Sequence, residues 1–195
     1  MKKTLILLVL IALALSSLAA QEELPSPAKL FPNSVGISGS ATTIGGMGGL
    51  SYQRWFGDFG YSLTLGAMAQ PVYEVVGSTA ASSPSFYAYS YNGELDLLWK
   101  LYSSDFWRWL SGDLYTYAKL QHQGGVQSIY TPNADITKPA TYVASPFGLT
   151  FAAGLGIGYE IILFQHFSIP LQFGYTAQYP FTLGFDTGGG LRYRY

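Results

Sequence analysis

The sequence predicts an all-β fold, an up-and-down antiparallel transmembrane β-barrel of about eight strands. Charged residues make up only 11% of the 195 residues, while hydrophobic residues make up 49% and aromatic residues 16%; soluble domains hold about 25% charged residues. Segments that alternate between apolar and polar residues, the period of a strand, recur along the chain. Beyond the N-terminal region no stretch approaches 18 consecutive apolar residues, which leaves a closed barrel as the structure that spans a membrane.

The N-terminal region has the three-part layout of a secretory signal peptide. Lys2 and Lys3 form a basic start, residues 5–15 are all apolar, and Ser17 and Ala19 are the small residues of a cleavage site. A membrane anchor is the alternative, but it needs about 20 apolar residues. We therefore predict that residues 1–20 are a signal peptide removed on export, so that the mature chain begins near residue 21.

Alternation is clearest over residues 87–101. Its odd positions are aromatic or aliphatic apart from Gly93, and its even positions include Glu94, Asp96 and Lys100. The same split defines a barrel domain over residues 34–195, preceded by an extended periplasmic lead-in over residues 21–33, whose prolines oppose a helix. The eight predicted strands are 34–41, 46–55, 59–70, 85–101, 109–121, 147–163, 167–179 and 185–195.

The predicted connections differ in length in a regular way. Short ones fall at residues 56–58, 102–108 and 164–166, and long ones rich in Ser, Pro, Ala and Thr fall at 71–84 and 122–146. Outer-membrane barrels have short periplasmic turns and longer outer loops. This pattern predicts a meander with both termini in the periplasm.

All four tryptophans lie beside the predicted short turns: Trp55, Trp99, Trp107 and Trp109. Indole rings prefer the interface between membrane and water, so we predict that these residues form a periplasmic girdle. The alternative is a soluble, lipocalin-like barrel with apolar residues inside and polar residues outside. Periodicity alone does not separate the two, but the shortage of charge and the one-sided tryptophans favour the membrane barrel.

The last strand carries a terminal pattern. Gly190, Tyr193 and Tyr195 match a signal of a glycine followed by aromatics at the third-last and last positions, and this resembles the C-terminal signal of outer-membrane barrels. The mature chain is similar in architecture to the small eight-stranded outer-membrane proteins, the group of OmpX, OmpW and the membrane domain of OmpA. The resemblance implies an outer-membrane location, contact with outer-membrane lipid, and insertion by the assembly machinery through the C-terminal strand.

The polar face of the predicted strands carries a balanced set of charges: Glu94, Asp96, Lys100, Asp113, Lys119, Glu160, Arg192 and Arg194. Strands four and five, paired around residues 106 and 107, would place Lys100 opposite Asp113 and Glu94 opposite Lys119, and cross-strand pairs of this kind stabilise sheets. Both arginines are then expected to reach acids across the lumen, because an eight-stranded interior is only wide enough for side chains.

Two interpretations of this lumen stay open. One is a polar plug with a structural role. The other is a narrow, charged conduit for small solutes, because inward glycines at positions 154, 156 and 158 leave spare volume. We accordingly predict a non-enzymatic barrel that is either structural or a narrow passive conduit.

Two histidines are candidates for catalysis, because some barrels of this size modify lipid A. His166 and Ser168 are two residues apart and share a strand face, so His166 could serve as a base for Ser168; however, the pair sits by a periplasmic turn, and Asp186 is expected at the other end of the barrel. His122 with Ser128 and Asp135 shows no recognisable spacing. A turn histidine is the favoured interpretation, and a lipid A-modifying enzyme the lesser alternative.

Other functional classes are disfavoured by composition. The chain has no cysteine and a net charge of −1, which argues against disulfides, a zinc site and nucleic-acid binding; we predict no metal and no cofactor. The outer loops hold few charges and include Tyr73, Tyr130 and Tyr142, a composition that makes adaptable contacts. Adhesion or capture of an external ligand through loops 71–84 and 122–146 is therefore a second functional alternative.

Overall fold

The computed structural model describes residues 30–42, 45–73, 75–76, 79–80, 85–126, 128–131, 141–178 and 182–195. The signal peptide and most of the lead-in predicted from the sequence lie outside these residues. The strands are β1 (Asn33–Thr42), β2 (Gly45–Phe56), β3 (Phe59–Val72), β4 (Val75–Val76), β5 (Thr79–Ala80), β6 (Phe86–Trp107), β7 (Leu110–Val126), β8 (Ser128–Thr131), β9 (Thr141–Ala144), β10 (Gly148–Leu163), β11 (Phe167–Gln178) and β12 (Thr182–Arg194).

Eight of these strands form a closed barrel in the order β1-β12-β11-β10-β7-β6-β3-β2, while β4–β5 and β8–β9 form separate two-stranded hairpins. Each barrel strand pairs antiparallel with its neighbours. At the closure, the Asn33 amide donates to the Tyr195 carbonyl at 3.2 Å and the Tyr195 amide donates to the Asn33 carbonyl at 2.9 Å. The predicted all-β, up-and-down barrel of eight strands is confirmed.

The predicted turn at residues 102–108 is wrong. Strand β6 continues to Trp107, and the turn is confined to Arg108 and Trp109. Irregularities in the β6–β7 ladder shift its register twice, so that Asp96 lies opposite Lys119 and Lys100 lies opposite Tyr115. Extra residues in one strand of a pair cause such shifts, and alternation alone does not reveal them.

The two faces of the barrel have opposite character. Large apolar side chains point outward and are exposed, for example Leu50 at 73% and Leu155 at 70%, whereas Glu160 and Arg194 are 0% and 1% exposed inside. A soluble barrel distributes these residues the other way round, so the lipocalin-like alternative is wrong. In the described part of the chain, no helix is long and apolar enough to cross a membrane.

Candidate functional site: the barrel lumen

Lys119 is the centre of a buried network in the lumen. Its Nζ lies 2.9 Å from Asp186 Oδ2 and 3.4 Å from Glu94 Oε1, and it donates a hydrogen bond of 3.2 Å to Gln172 Oε1. These contacts join β7 to its neighbour β6 and, through the lumen, to β11 and β12. A single ammonium group therefore connects four strands through the interior.

Glu94 is held by neutral donors as well as by Lys119. Its Oε2 accepts hydrogen bonds from Gln121 Nε2 at 2.7 Å and from Ser40 Oγ at 2.9 Å. Because a buried carboxylate is costly unless its oxygens are bonded, these donors make the position of Glu94 tolerable. They also link β6 to β1 across the lumen.

The remaining acids of this cluster use the same type of contact. Asp96 Oδ2 accepts a hydrogen bond of 3.0 Å from Gln172 Nε2, and Asp186 Oδ2 accepts one of 3.1 Å from the Tyr117 hydroxyl. The Gln172 amide thus bridges Lys119 and Asp96. Asp186 lies near the start of β12, away from the turn that holds His166, and its side chain is 0% exposed and belongs to the lumen network.

A second cluster surrounds Glu160. Gln53 Nε2 donates to Glu160 Oε2 at 3.0 Å, and Arg194 Nη1 lies 3.9 Å from Glu160 Oε1. Arg192 donates to Gln53 Oε1 through Nη1, to Ser51 Oγ at 3.1 Å and to Ser62 Oγ at 2.9 Å. The expected reach of Arg194 to an acid is seen, whereas the hydrogen bonds of Arg192 go to Gln53 and two serines.

Both predicted acid–base pairs of strands β6 and β7 exist. Lys100 Nζ lies 2.9 Å from Asp113 Oδ2, which makes a pair as close as that of Lys119 with Asp186. Asp113 also accepts a hydrogen bond of 2.6 Å from Ser103 Oγ. The pairs are diagonal in the ladder instead of directly opposite, because side chains two positions apart on one face remain within reach of long residues.

The expected spare volume beside the inward glycines is filled. Tyr115 and Tyr117 are 1% and 2% exposed, and their rings lie so close to Gly158 and Gly156 that an added Cβ at either glycine would collide with them. Trp55, Leu98, Tyr115 and Tyr117 form an apolar cluster inside the barrel. The spare volume expected beside Gly156 and Gly158 is therefore occupied by these two rings.

Trp55 does not belong to the membrane girdle. It is 3% exposed and points into the lumen, where its ring meets Tyr115 edge-on at 6.0 Å and Lys100 Nζ lies 4.8 Å from its centre. Trp99, Trp107 and Trp109 are exposed on the outer surface, and Trp107 stacks on Trp109 at 5.4 Å. The prediction failed for Trp55 because its position next to a turn does not reveal which face it occupies.

This difference predicts a contrast in fluorescence quenching. A variant that retains only Trp55, with the other tryptophans changed to Phe, is expected to be quenched weakly by lipids brominated on their acyl chains. A matched variant that retains only Trp99 is expected to be quenched several-fold more strongly, because its ring faces lipid. Equal quenching of the two variants would contradict the lumen position of Trp55.

The structure does not bring the candidate catalytic dyad together. His166 Nδ1 forms a 3.0 Å hydrogen bond with the Arg194 carbonyl, and its ring stacks on Tyr193 at 5.5 Å and meets Phe31 at 4.3 Å. The Ser168 side chain is fully buried inside the barrel, beside the Glu160 carboxylate. The two residues thus have separate surroundings, and His166 is a packed turn histidine.

The second histidine lies on the outer surface. The ring of His122 contacts Tyr91 and Phe151, at 5.8 and 6.3 Å between ring centres. Of the residues considered with it, Ser128 lies in β8 and Asp135 lies outside the described residues. No cluster of three or more His, Asp or Glu within the described ranges could hold a metal ion.

The C-terminal strand presents its aromatics outward. Tyr193 and Tyr195 are about half exposed, and Tyr193 packs edge-on against Phe167 at 5.7 Å. Gly190 approaches the β1 backbone so closely that a Cβ would collide with it. These residues therefore have structural roles in closing the barrel, and their recognition by assembly machinery stays a prediction.

The eight antiparallel strands form a closed ring that is apolar outside and charged inside. The fold is that of a small outer-membrane β-barrel. In soluble barrels side chains of the opposite character fill the interior, so the distribution of polarity, in addition to the strand number, decides this assignment.

Comparisons with known proteins give fold-level likeness only. No protein-family model matches the chain, and no curated protein matches it. Among solved structures, it is similar to the N-terminal β-barrel domain of OprF from Pseudomonas aeruginosa (16% identity, 85% of this chain and 99% of that chain covered, TM-score 0.45). It is also similar to a major outer membrane protein from Thermus thermophilus (15%, 84% and 98%, 0.47) and to the attachment invasion locus protein Ail of Yersinia pestis (13%, 84% and 97%, 0.34).

Proposed function

We propose that this protein is a structural, non-enzymatic barrel of the outer membrane whose lumen is closed to solutes. The observation that carries the proposal is the cross-linked interior, in which Lys119, Glu160 and Arg194 are each buried and joined to side chains from other strands. A barrel wall that is held from inside in this way has the stiffness of a scaffold, and its interior space is used by side chains.

The packing of the lumen argues against a narrow passive conduit. A conduit requires a chain of water-accessible polar groups from one mouth to the other. Here the apolar cluster of Trp55, Leu98, Tyr115 and Tyr117 lies within the barrel, and the charged clusters consist of side chains bonded to one another.

The outer surface supports the membrane location. Exposed aliphatic and aromatic side chains cover it, including Leu65, Leu120 and Ile157. In water such a surface would cause aggregation, whereas in hydrocarbon its exposure carries no free-energy penalty. Outer-membrane lipid is therefore one proposed partner, and the machinery that inserts barrels through their C-terminal strand is the other.

A conductance measurement tests the closed lumen. The mature chain, refolded and inserted into a planar bilayer, is expected to give no discrete conductance steps, and a gel-mobility difference between unheated and boiled samples establishes that it has folded. Regular steps that change in size when Glu94 is replaced by Gln would contradict the proposal and favour the conduit. Absence of the gel shift would contradict the membrane barrel itself.

Surface binding through the outer loops is a second candidate function. It is favoured by one observation, the hairpin β8–β9, in which Ile129 and Val143 lie opposite each other and are 48% and 54% exposed. An exposed apolar pair outside the barrel is a small contact site. Replacement of both residues by Thr is expected to abolish adhesion of cells that display the protein without changing its gel mobility; unchanged adhesion would eliminate this hairpin.

A further inference from the structure

An apolar groove runs across the outer wall of the barrel. It consists of two adjoining cavities of about 540 and 560 Å³ that share Leu95, Leu120, Ala153 and Ala177. All four of these side chains point outward, toward the face that the proposed function places in lipid. The groove is therefore part of the membrane-facing surface and separate from the lumen.

The strand registers explain why the outer wall has a groove at this position. Leu63, Leu95, Leu120, Ala153, Ala177 and Leu183 lie side by side in one row across six strands. The two alanines interrupt a row of leucines, and Gly93 next to the row adds no side chain. The leucines form the walls, and the small residues form the floor.

His122 lines the first of these cavities, two residues along β7 from Leu120. Its ring covers Gly93, where a Cβ would collide with it, and it is packed against Tyr91 and Phe151. Within the described part of the chain the ring nitrogens have no hydrogen-bond partner. The packing thus fixes a polar group on an otherwise apolar surface and leaves its hydrogen-bonding capacity unused.

The height of His122 matches the outer membrane interface. A strand tilted by about 40° rises roughly 30 Å from Leu110 to His122, which is slightly more than the apolar band of about 25 Å. Leu110 borders the turn that the sequence predicts to be periplasmic, and in that orientation His122 lies where headgroups begin. The groove therefore descends from the headgroup level into the hydrocarbon.

We propose that the groove binds one acyl chain of a membrane lipid whose phosphate headgroup accepts a hydrogen bond from His122. The proposal rests on the membrane location proposed above. An apolar groove lined by a single imidazole matches an amphiphile with a hydrocarbon tail and an anionic head. A second copy of this chain is the less suitable occupant, because it would have to bury the imidazole without any described acidic side chain beside it on the outer surface.

Native mass spectrometry of the delipidated, refolded protein tests this inference. The probes are dipalmitoyl phosphatidic acid, dipalmitoylglycerol, which lacks the phosphate, and inorganic phosphate. The variants are Ala153→Leu with Ala177→Leu, which fills the groove, and His122→Phe, which keeps the ring and removes its nitrogens. Ala41→Leu is the matched control, because it adds the same type of side chain at an exposed alanine on β1, which contributes no residue to the groove.

The unaltered protein is expected to retain one phosphatidic acid about tenfold more tightly than dipalmitoylglycerol. The groove-filling variant is expected to lose both lipids by tenfold or more, while His122→Phe loses only the preference for phosphate and Ala41→Leu changes neither. Equal loss in Ala41→Leu, an unchanged preference in His122→Phe, or retention of inorganic phosphate alone would each overturn the inference. A dimer that the groove-filling variant converts to monomers would identify a second copy as the occupant and overturn it as well.

These outcomes are distinguishable from failure of the proposed function. Quenching of Trp99 by brominated lipid and the gel-mobility shift report insertion of the barrel irrespective of any bound lipid. If both are present and lipid retention is unselective, only the lipid site is wrong. If both are absent, the membrane location is wrong.

Discussion

Replacement of Lys119 by Met is expected to lower the free energy of unfolding by about 3–5 kcal/mol, the cost of removing one partner from a buried ion pair. The substitution keeps the long aliphatic stem and removes the ammonium group that lies 2.9 Å from Asp186 and 3.4 Å from Glu94. Both carboxylates then remain in the lumen without their cation. Urea-induced unfolding in phospholipid vesicles, followed by tryptophan fluorescence and gel mobility, measures the change.

Two further variants make this result specific. Arg54 is exposed beside Phe56, with its guanidinium carbon 4.8 Å from the ring centre, so Arg54→Met removes an equal charge from the surface and is expected to change stability by less than about 1 kcal/mol. Lys119→Met combined with Asp186→Asn is expected to recover part of the loss, because one uncompensated charge is gone. A loss in Lys119→Met no larger than that in Arg54→Met would show that the network contributes little.

The network also bears on how the barrel selects its register. A slip of one residue in a strand moves its side chains to the opposite face. For β7 such a slip would place Lys119 in lipid and separate it from Asp186, while Tyr115 and Tyr117 would leave the glycines that accommodate them. The charged and aromatic contacts of the lumen therefore raise the free energy of wrong registers more than the outer face does. On the outer face one apolar side chain can replace another in contact with lipid.

Alternation was sufficient to predict the strands and most of their faces. The charged residues assigned to the lumen sit in strands whose polar positions recur at every second residue, and the buried Lys119, Glu160 and Arg194 agree with the assignment. The pairs Lys100–Asp113 and Glu94–Lys119 form although their predicted register was wrong. Long side chains reach diagonal neighbours, and this tolerance compensates for the error in register.

Neutral residues and positions near turns were harder to predict. Gln53 connects Arg192 to Glu160, but the pattern of charged residues does not identify a neutral amide as part of the network. Asp186 lies in the predicted strand 185–195 and has the same parity as Arg192 and Arg194, but its place near the start of that strand gave no indication of its ion pair with Lys119. Trp55 was assigned by its location beside a turn, where the alternation that would have placed it inside is weakest.

Replacement of both Tyr115 and Tyr117 by Ala is expected to open the lumen. The two rings cover Gly158 and Gly156 on the neighbouring strand, and with Trp55 and Leu98 they form the apolar cluster inside the barrel. The change is expected to cost about 3–5 kcal/mol per ring, as for other large aromatic residues truncated to Ala. The double variant should give discrete conductance steps in a planar bilayer, whereas the unaltered chain gives none.

Refilling the space tests whether volume is the cause. Gly158→Leu, introduced into the double variant, would place a side chain where the Tyr115 ring had been, and it is expected to suppress the conductance and to recover part of the stability. The same substitution in the unaltered chain is expected to destabilise it by about 1–3 kcal/mol through overpacking. Conductance that persists in the refilled variant would show that the path lies elsewhere, and a silent double variant would show that the charged clusters close the lumen without the tyrosines. The decisive observation is a change of sign in the effect on the free energy of unfolding. Side chains that compete for one volume stabilise the double variant, in which that volume is empty, and destabilise the unaltered chain, in which it is filled.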